Sequence, residues 1–344
     1  MAQDIKEVSL EQLEGKLLGL GTQKYYARQI FDWIYQKGIF DFNAMSNLPA
    51  GLRKQLAQEF YILNLGVVDL QISRDKTAKF LLQLPDGNSI EAVNIPTAKR
   101  VTGCISSQVG CKYACKFCAS GLGGFKRNLT SGEMLDEVLY LKNNSAVIPL
   151  THIVFMGTGE PLDNYDAVLK VIRVLNSPQG FNIGARRITI STCGIIPGMK
   201  KLQGEDLQFE LSISLHAADD KIRTQLMPVN KQYPLRELVF ACAEYIAKTN
   251  RQITFEYILI KNLNSDLVAA KKLVELLRNL RLAKVNLIPA NFIPEFKLAA
   301  ASPEEISRFQ KYLFESGVNV TLRQERGQDI AAACGQLRLK HGKA

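Results

Sequence analysis

Gly110-Cys111-Lys112-Tyr113-Ala114-Cys115-Lys116-Phe117-Cys118 sets three thiols at a C-x3-C-x2-C spacing. Thiolates are soft ligands that suit iron–sulfur clusters, zinc or Cu(I). No fourth cysteine stands near enough to complete a zinc site or a fully ligated cluster, since Cys104 lies seven residues upstream. Three ligands from one loop leave one iron of a 4Fe–4S cluster open, and an open iron can bind a substrate. Structural cysteines bury readily but seldom gather at this spacing, so the stretch reads as a cofactor cradle.

On the C-terminal side of this loop, strands and helices alternate. Strands are expected over 152–156, 187–191, 209–215, 253–260, 284–288 and 318–323, and helices over 165–175, 235–248, 267–278 and 303–315. Repeated βα units imply a parallel sheet, closed or partly closed into a barrel, with ligands at the C-terminal strand ends. Thr130-Ser131-Gly132-Glu133 fits a capping box opening a helix over 134–142. Upstream, residues 67–95 have strand periodicity, with Pro85-Asp86-Gly87 as a turn within a meander. Further upstream the period becomes helical: Leu10, Leu13, Leu17 and Leu18 form one stripe, Tyr26, Ile30, Phe31 and Ile34 another, and 52–60 a third helix. The expected division is a helical accessory unit over 1–62, a β-meander linker over 63–96, a core over 97–325 and a tail over 326–344.

The 344 residues are 47% hydrophobic, enough to bury a sizeable core, and no apolar run approaches the ~20 residues of a membrane span. Met1-Ala2-Gln3-Asp4-Ile5-Lys6-Glu7 lacks the basic and apolar segments of a secretion signal. Seven irregularly spaced cysteines then point to metal and redox chemistry in a reducing cytoplasm rather than to structural disulfides. The formal net charge of +10 points to a polyanionic partner, because neutralised phosphates release counterions. Lys24, Tyr25, Arg28, Trp33 and Lys37 mix cations with aromatics, as RNA surfaces do, although any one of them serves equally in a core or on a solvated face. Lys99, Arg100, Lys112, Lys116, Lys126, Arg127, Arg186, Arg187, Arg323 and Arg326 flank the expected barrel mouth and are candidates for phosphate contact.

Polar residues gather where strands end. Gly157-Thr158-Gly159-Glu160-Pro161 follows the strand ending at Met156; its glycines admit close backbone approach, and Glu160 offers a carboxylate to an ammonium group. Ser191, Ser214-Leu215-His216 and Asn291 occupy later strand ends. The cysteine spacing resembles the signature of the radical S-adenosylmethionine (SAM) superfamily, and the glycine run is similar to its motif for the methionine amino group. Two further runs are more specific: Cys104-Ile105-Ser106-Ser107-Gln108-Val109-Gly110-Cys111 and Arg326-Gly327-Gln328-Asp329-Ile330-Ala331-Ala332-Ala333-Cys334-Gly335-Gln336-Leu337. Together they resemble the RlmN/Cfr family of RNA adenosine methyltransferases, from about residue 20 to 337. The resemblance implies an α/β fold: a partial (β/α)6 TIM-like barrel of the radical SAM type, with the N-terminal helical unit and β-meander linker.

It also implies the site. Cys111, Cys115 and Cys118 would bind one 4Fe–4S cluster; Gly159, Glu160, Ser191, Ser214, Leu215, His216 and Asn291 would contact SAM. Cys334 would carry a methyl group, with Cys104 as its redox partner and Glu91 as the acid/base residue. Cys193 and Cys242 receive no role. The chain departs from the family where Asn291 is followed by Phe292-Ile293-Pro294 rather than directly by proline, and in the glycine-rich link Ala119-Ser120-Gly121-Leu122-Gly123-Gly124-Phe125.

The target carbon of adenine is an electron-poor sp2 centre, so an ordinary SN2 methyl transfer from SAM should fail. The implied route methylates Cys334, turns that methyl group into a radical with a second SAM, and adds it to the ring while Glu91 takes the ring proton. Cys104 then attacks the Cys334 sulfur, releasing methylated RNA and leaving a disulfide, which needs Cα atoms roughly 4.4–6.8 Å apart. The meander and the tail are therefore expected to meet over the barrel mouth. Implied partners are 23S rRNA, tRNA, a flavodoxin- or ferredoxin-like electron donor and a disulfide reductant, with no membrane and a monomeric enzyme. The leading expectation is methylation at C2 of an rRNA adenosine and of a tRNA adenosine; a Cfr-type enzyme would use the same residues at C8. A non-catalytic RNA-binding iron–sulfur protein would need neither Cys104 nor Cys334 at particular places, and a zinc-binding RNA module is a third alternative.

Overall fold

A computed structural model describes residues 2–145 and 148–337; Met1, residues 146 and 147, and the end of the expected tail, 338–344, lie outside it. Among the described residues, seven parallel strands form the core: Val101–Cys104, Leu150–Phe155, Ile188–Thr192, Glu210–Ser214, Ile253–Leu259, Ala283–Pro289 and Asn319–Leu322. Each pairs in parallel with the next. Three antiparallel strands, Ser89–Pro96, Ala78–Gln83 and Gly66–Ile72, continue the same sheet to ten strands. Its two end strands do not pair with each other, so the barrel is open.

Period-two alternation sorts the strand residues. Ile190, Ile213, Phe255 and Val285 are buried and belong to the hydrophobic core beneath the helices. Their neighbours Thr189, Ser212, Thr254 and Asn286 line the lumen. A barrel lumen is ordinarily filled by apolar layers; this one is polar. The helices show the complementary stripe: Tyr165–Asn176 buries Val168, Val171, Ile172 and Leu175, three to four residues apart. Helix Ser131–Asn143 starts at the expected capping box of Thr130 and Glu133, and Pro303–Glu315 at one made by Ser302 and Glu305.

The N-terminal helices Leu10–Gly19, Tyr25–Phe31 and Ala50–Glu59 are tied at their ends by the short parallel pairing of Gln3–Asp4 with Phe60–Tyr61. Lys6 joins them to the barrel. Its buried ammonium donates to Leu63 O at 2.6 Å and to Asp136 Oδ1 at 2.5 Å, on helix Ser131–Asn143. Asp136 also accepts from Leu65 N. Leu13 and Ile30 share one continuous hydrophobic core with Val138 and Leu139. No described helix is long and apolar enough to cross a membrane.

Candidate active site

The cysteine loop is closed at its base by antiparallel pairing of Gln108–Gly110 with Phe125–Asn128. Cys111 N donates to Gly124 O at 3.2 Å, and Lys116 N to Leu226 O at 2.8 Å, which fastens both flanks. Ala114 takes a left-handed φ of 49°, and a Cβ on Gly121 would stand 2.9 Å from its Cα. The glycine-rich link is thus shaped to lie over the loop. Cys111, Cys115 and Cys118 line one cavity together with Tyr113 and Phe117. Burial pushes the Cys111 thiol up to about 12 and raises those of Cys115 and Cys118 as well. Bound metal is what ionises such thiols. Among the described residues, no three His, Cys, Asp or Glu groups converge as one metal ion requires. A cluster gives each thiolate its own iron, so the donor set fits a 4Fe–4S group better than a single zinc.

The opposite wall is built by strand ends. Gly159, Glu160, Ser191, Ser214 and His216 line the same cavity. The close approach that the glycines permit is to the chain itself: a Cβ on Gly157 would lie 2.6 Å from Ile105 O, and one on Gly159 (φ 109°) 2.6 Å from Gln108 Cβ. Thr158 N donates to Ser106 Oγ at 3.0 Å and Glu160 N to Gln108 Oε1 at 2.9 Å. The Gly157–Pro161 turn is therefore keyed to the strand that leads into the cysteine loop. The Glu160 carboxylate accepts from Cys193 N at 2.7 Å and Leu162 N at 3.0 Å. Burial raises its pKa and those two N–H groups oppose the rise.

His216 sits at φ 58°, which turns its ring to Phe117 in an edge contact at 4.4 Å between centroids. Its Nδ1 accepts from Ile258 N at 3.1 Å, and burial with Arg223 nearby lowers its pKa to about 3. The ring is neutral. Arg223, on helix Asp220–Leu226, is fully buried and donates to the carbonyls of Cys193 (2.9 Å), Leu215 (3.1 Å) and Ser214 (3.3 Å) and to Asn230 Oδ1 (2.7 Å). One guanidinium thus holds two strand ends at fixed spacing around the cavity.

The tail closes the site and runs over the meander. Gly327 N donates to Asp75 Oδ2 at 3.0 Å, Lys79 Nζ to Ala331 O at 3.1 Å, and Val93 packs with Cys104, Ala332 and Leu337. Ala119 N donates to Gly335 O at 2.6 Å, joining tail to cysteine loop. Cys334 lines the cysteine cavity and also a larger cleft that Cys104 lines. Both thiols are free. Burial, reinforced by Cys334, pushes the Cys104 thiol far above its ordinary pKa.

Several expected residues lie elsewhere. Leu215 has its side chain in the hydrophobic core, outside the cavity wall. Asn291 lines the larger cleft, where its Nδ2 donates to Cys334 O at 3.0 Å and its Oδ1 accepts from Gln328 Nε2 at 3.1 Å. Glu91 is buried with Oε1 3.2 Å from Lys79 Nζ and lines neither space. Of the ten basic candidates, Arg100, Arg186 and Arg187 stand at N-terminal strand ends, away from the cysteine loop.

Arg323 points into the lumen beside Glu256, and both line the cavity and the cleft. Cys334, and after it Glu256 and Cys104, raise the Arg323 pKa against the effect of burial. Glu256 and Arg323 follow the period-two register of Thr254 and Thr321, a signal that could have marked them as inward residues. Cys193 also lines the cavity, although its sequence context carried no such signal.

Residues 105–283 match the radical SAM superfamily, and residues 3–62 match the ribosomal RNA large subunit methyltransferase N-terminal domain. A "probable dual-specificity RNA methyltransferase RlmN" of Thermoanaerobacter sp. (strain X514) is 45% identical over 341 residues, covering 99% of each chain. A "dual-specificity RNA methyltransferase RlmN" of a Nitratiruptor species is 43% identical, covering 98% of this chain and 99% of the relative. The crystal structure of a radical SAM methyltransferase from Sphaerobacter thermophilus superimposes with a TM-score of 0.93 at 43% identity, over 97% of this chain and 99% of that one.

Proposed function

Since the chain belongs to the RlmN family of radical SAM RNA methyltransferases, we propose that it methylates C2 of one adenosine in the peptidyl-transferase centre of 23S rRNA and C2 of the adenosine beside the anticodon in tRNA. The observation that carries this reading is the place of Cys334, on the wall common to the cysteine cavity and the cleft that holds Cys104. When bound, the 4Fe–4S cluster and SAM supply the one-electron chemistry that an electron-poor ring carbon demands.

The chain's own residues would do the rest. Cys111, Cys115 and Cys118 hold the cluster. Glu160, Ser191, Ser214 and His216, with the Gly159 backbone, orient SAM; Leu215 contributes through the strand end that Arg223 holds. Asn291 anchors the tail at Cys334. The Cys334 sulfur takes up a methyl group as nucleophile, with the Arg323 guanidinium beside it balancing charge. The target adenine must leave its stack, which costs a few kcal/mol and favours loop adenosines. Glu91 accepts the ring proton in this reading; because its partner Lys79 is bonded to Ala331, tail movement and access to the carboxylate are linked. Cys104 Sγ gives up its proton and attacks Cys334 Sγ. The S–S bond forms, the bond from sulfur to the methylene carbon breaks, and its electron pair stays with the carbon, which a proton completes as methyl.

This reading includes a flavodoxin- or ferredoxin-like electron donor, a disulfide reductant, and a monomeric enzyme working in the cytoplasm. Anaerobic incubation with SAM, reductant and rRNA or tRNA fragments, followed by nucleoside mass spectrometry, tests it. The product expected is 2-methyladenosine. An 8-methyl product would contradict the C2 assignment, which the names carried by the relatives favour.

A further inference from the structure

The larger cleft adjoins the cysteine cavity along a shared wall of Met156, Glu256, Ile288, Arg323 and Cys334 and has a volume of about 630 Å³. Cys104 lines this cleft and not the cysteine cavity. From the two thiols the cleft follows the polar lumen to the N-terminal strand ends. There Arg100, Arg186 and Lys284 face one acid, Glu210. Nearer the tail the wall adds Arg326 and Glu325, and deeper Arg323 and Glu256. The wall thus carries a net positive charge at its outer end, where its arginine and lysine are at least partly exposed. His152, also in this wall, has its pKa lowered by burial and then by Arg100 and Arg187, which reports the same positive field.

Packing does not call for a cationic, polar passage through a barrel core. A space of this size admits a small molecule, and Cys104, which lines it, is buried. We propose that this cleft is the entry route and docking site for a small anionic thiol, which reduces the Cys104–Cys334 disulfide from the N-terminal end of the barrel without passing through the cofactor cavity. The inference rests on the disulfide in the function proposed above. One thiolate attacks a sulfur of the pair; a mixed disulfide forms, the Cys104–Cys334 bond breaks, and the released thiolate takes a proton. A second thiol attacks the mixed disulfide and leaves as the oxidised dimer, so two electrons pass from two small thiols to the protein.

The test uses the full chain with its cluster and SAM bound, taken after one turnover. Reduction is timed by alkylation and mass spectrometry of the Cys104 and Cys334 peptides. The probes are mercaptoethanesulfonate (anionic), 2-mercaptoethanol (neutral) and cysteamine (cationic). In an Arg186→Glu/Lys284→Glu variant the sulfonate should slow and cysteamine quicken, shifting their rate ratio by roughly tenfold at low salt and less at high salt. The neutral thiol should keep its wild-type rate, which a misfolded variant would not show. A rate ratio unmoved by the charge reversal, or a reduction rate that falls for all three probes alike, overturns the route. Absence of any Cys104–Cys334 disulfide after turnover overturns the proposed mechanism itself.

Discussion

Replacing Gly335 with alanine should undock the tail and slow methylation of Cys334 without removing the cluster. Gly335 has φ 80°, and a Cβ there would stand 2.6 Å from Phe117 O, a backbone atom in the cysteine loop. The left-handed backbone costs an alanine about 1–2 kcal/mol. The clash adds to it, because the obstacle is main chain rather than a movable side-chain end. Lifting the tail relieves both, but then Ala119 N loses Gly335 O at 2.6 Å and Ser120 Oγ loses Leu337 O at 2.9 Å. Those bonds are worth about 0.5–1.5 kcal/mol each. Either way the docked state loses about 2–3 kcal/mol, roughly 30- to 150-fold in population. The assay is the initial rate of label transfer from methyl-labelled SAM to Cys334 in the reconstituted full chain, with iron content measured alongside. Gly335→Ala should lose most of that rate and keep its iron. Gly317→Ala is the control: it shares the left-handed φ of 80° but meets nothing within 4 Å, so it should leave the rate intact. An unchanged rate in Gly335→Ala at full iron content would mean that methylation of Cys334 does not depend on this docked turn.

Lys6→Met should destabilise the chain by about 3–5 kcal/mol in denaturant unfolding, since it strands the buried Asp136 carboxylate. Arg28→Ala, which removes only an exposed ion pair to Glu14 at 3.7 Å, should change stability by less than about 0.5 kcal/mol; equal effects would contradict the burial argument. His216 predicts a pH dependence. Its folded pKa of about 3 lies below its ordinary 6.5, so the unfolded chain takes up the proton first as pH falls. Its contribution is complete above pH 6.5 and erodes toward 3, by roughly 2 kcal/mol at pH 5. His216→Gln should flatten the wild-type slope of stability between pH 6.5 and 5; parallel slopes would sink the assignment.

Residues whose role is set by local chemistry could be read from the sequence. The three cysteines share one loop, and the start of Pro303–Glu315 is written in Ser302, Pro303 and Glu305. The alternation after the loop likewise exposed the parallel strands, with ends a residue or two from those expected. Strand Val101–Cys104 escaped because four residues with a glycine among them show no usable period. Arg223 escaped for a different reason: it lies on a seven-residue helix, and its burial is decided by carbonyls on strand ends distant in sequence. The Gly157–Pro161 turn was legible as a place of close approach. What it approaches, the Ile105–Gln108 segment, depends on how two barrel strands pair. Leu215 and Asn291 were placed by motif alone; their side chains stand in the core and against the tail.

If the tail sulfur carries the transferred carbon, it must be methylated before RNA is present. Mass spectrometry of the peptide bearing Cys334, after anaerobic incubation with methyl-labelled SAM and before RNA is added, measures this most directly. One labelled methyl group is expected on Cys334, passing to adenosine once RNA and reductant are supplied. Label that reaches RNA while Cys334 stays unmodified would contradict it.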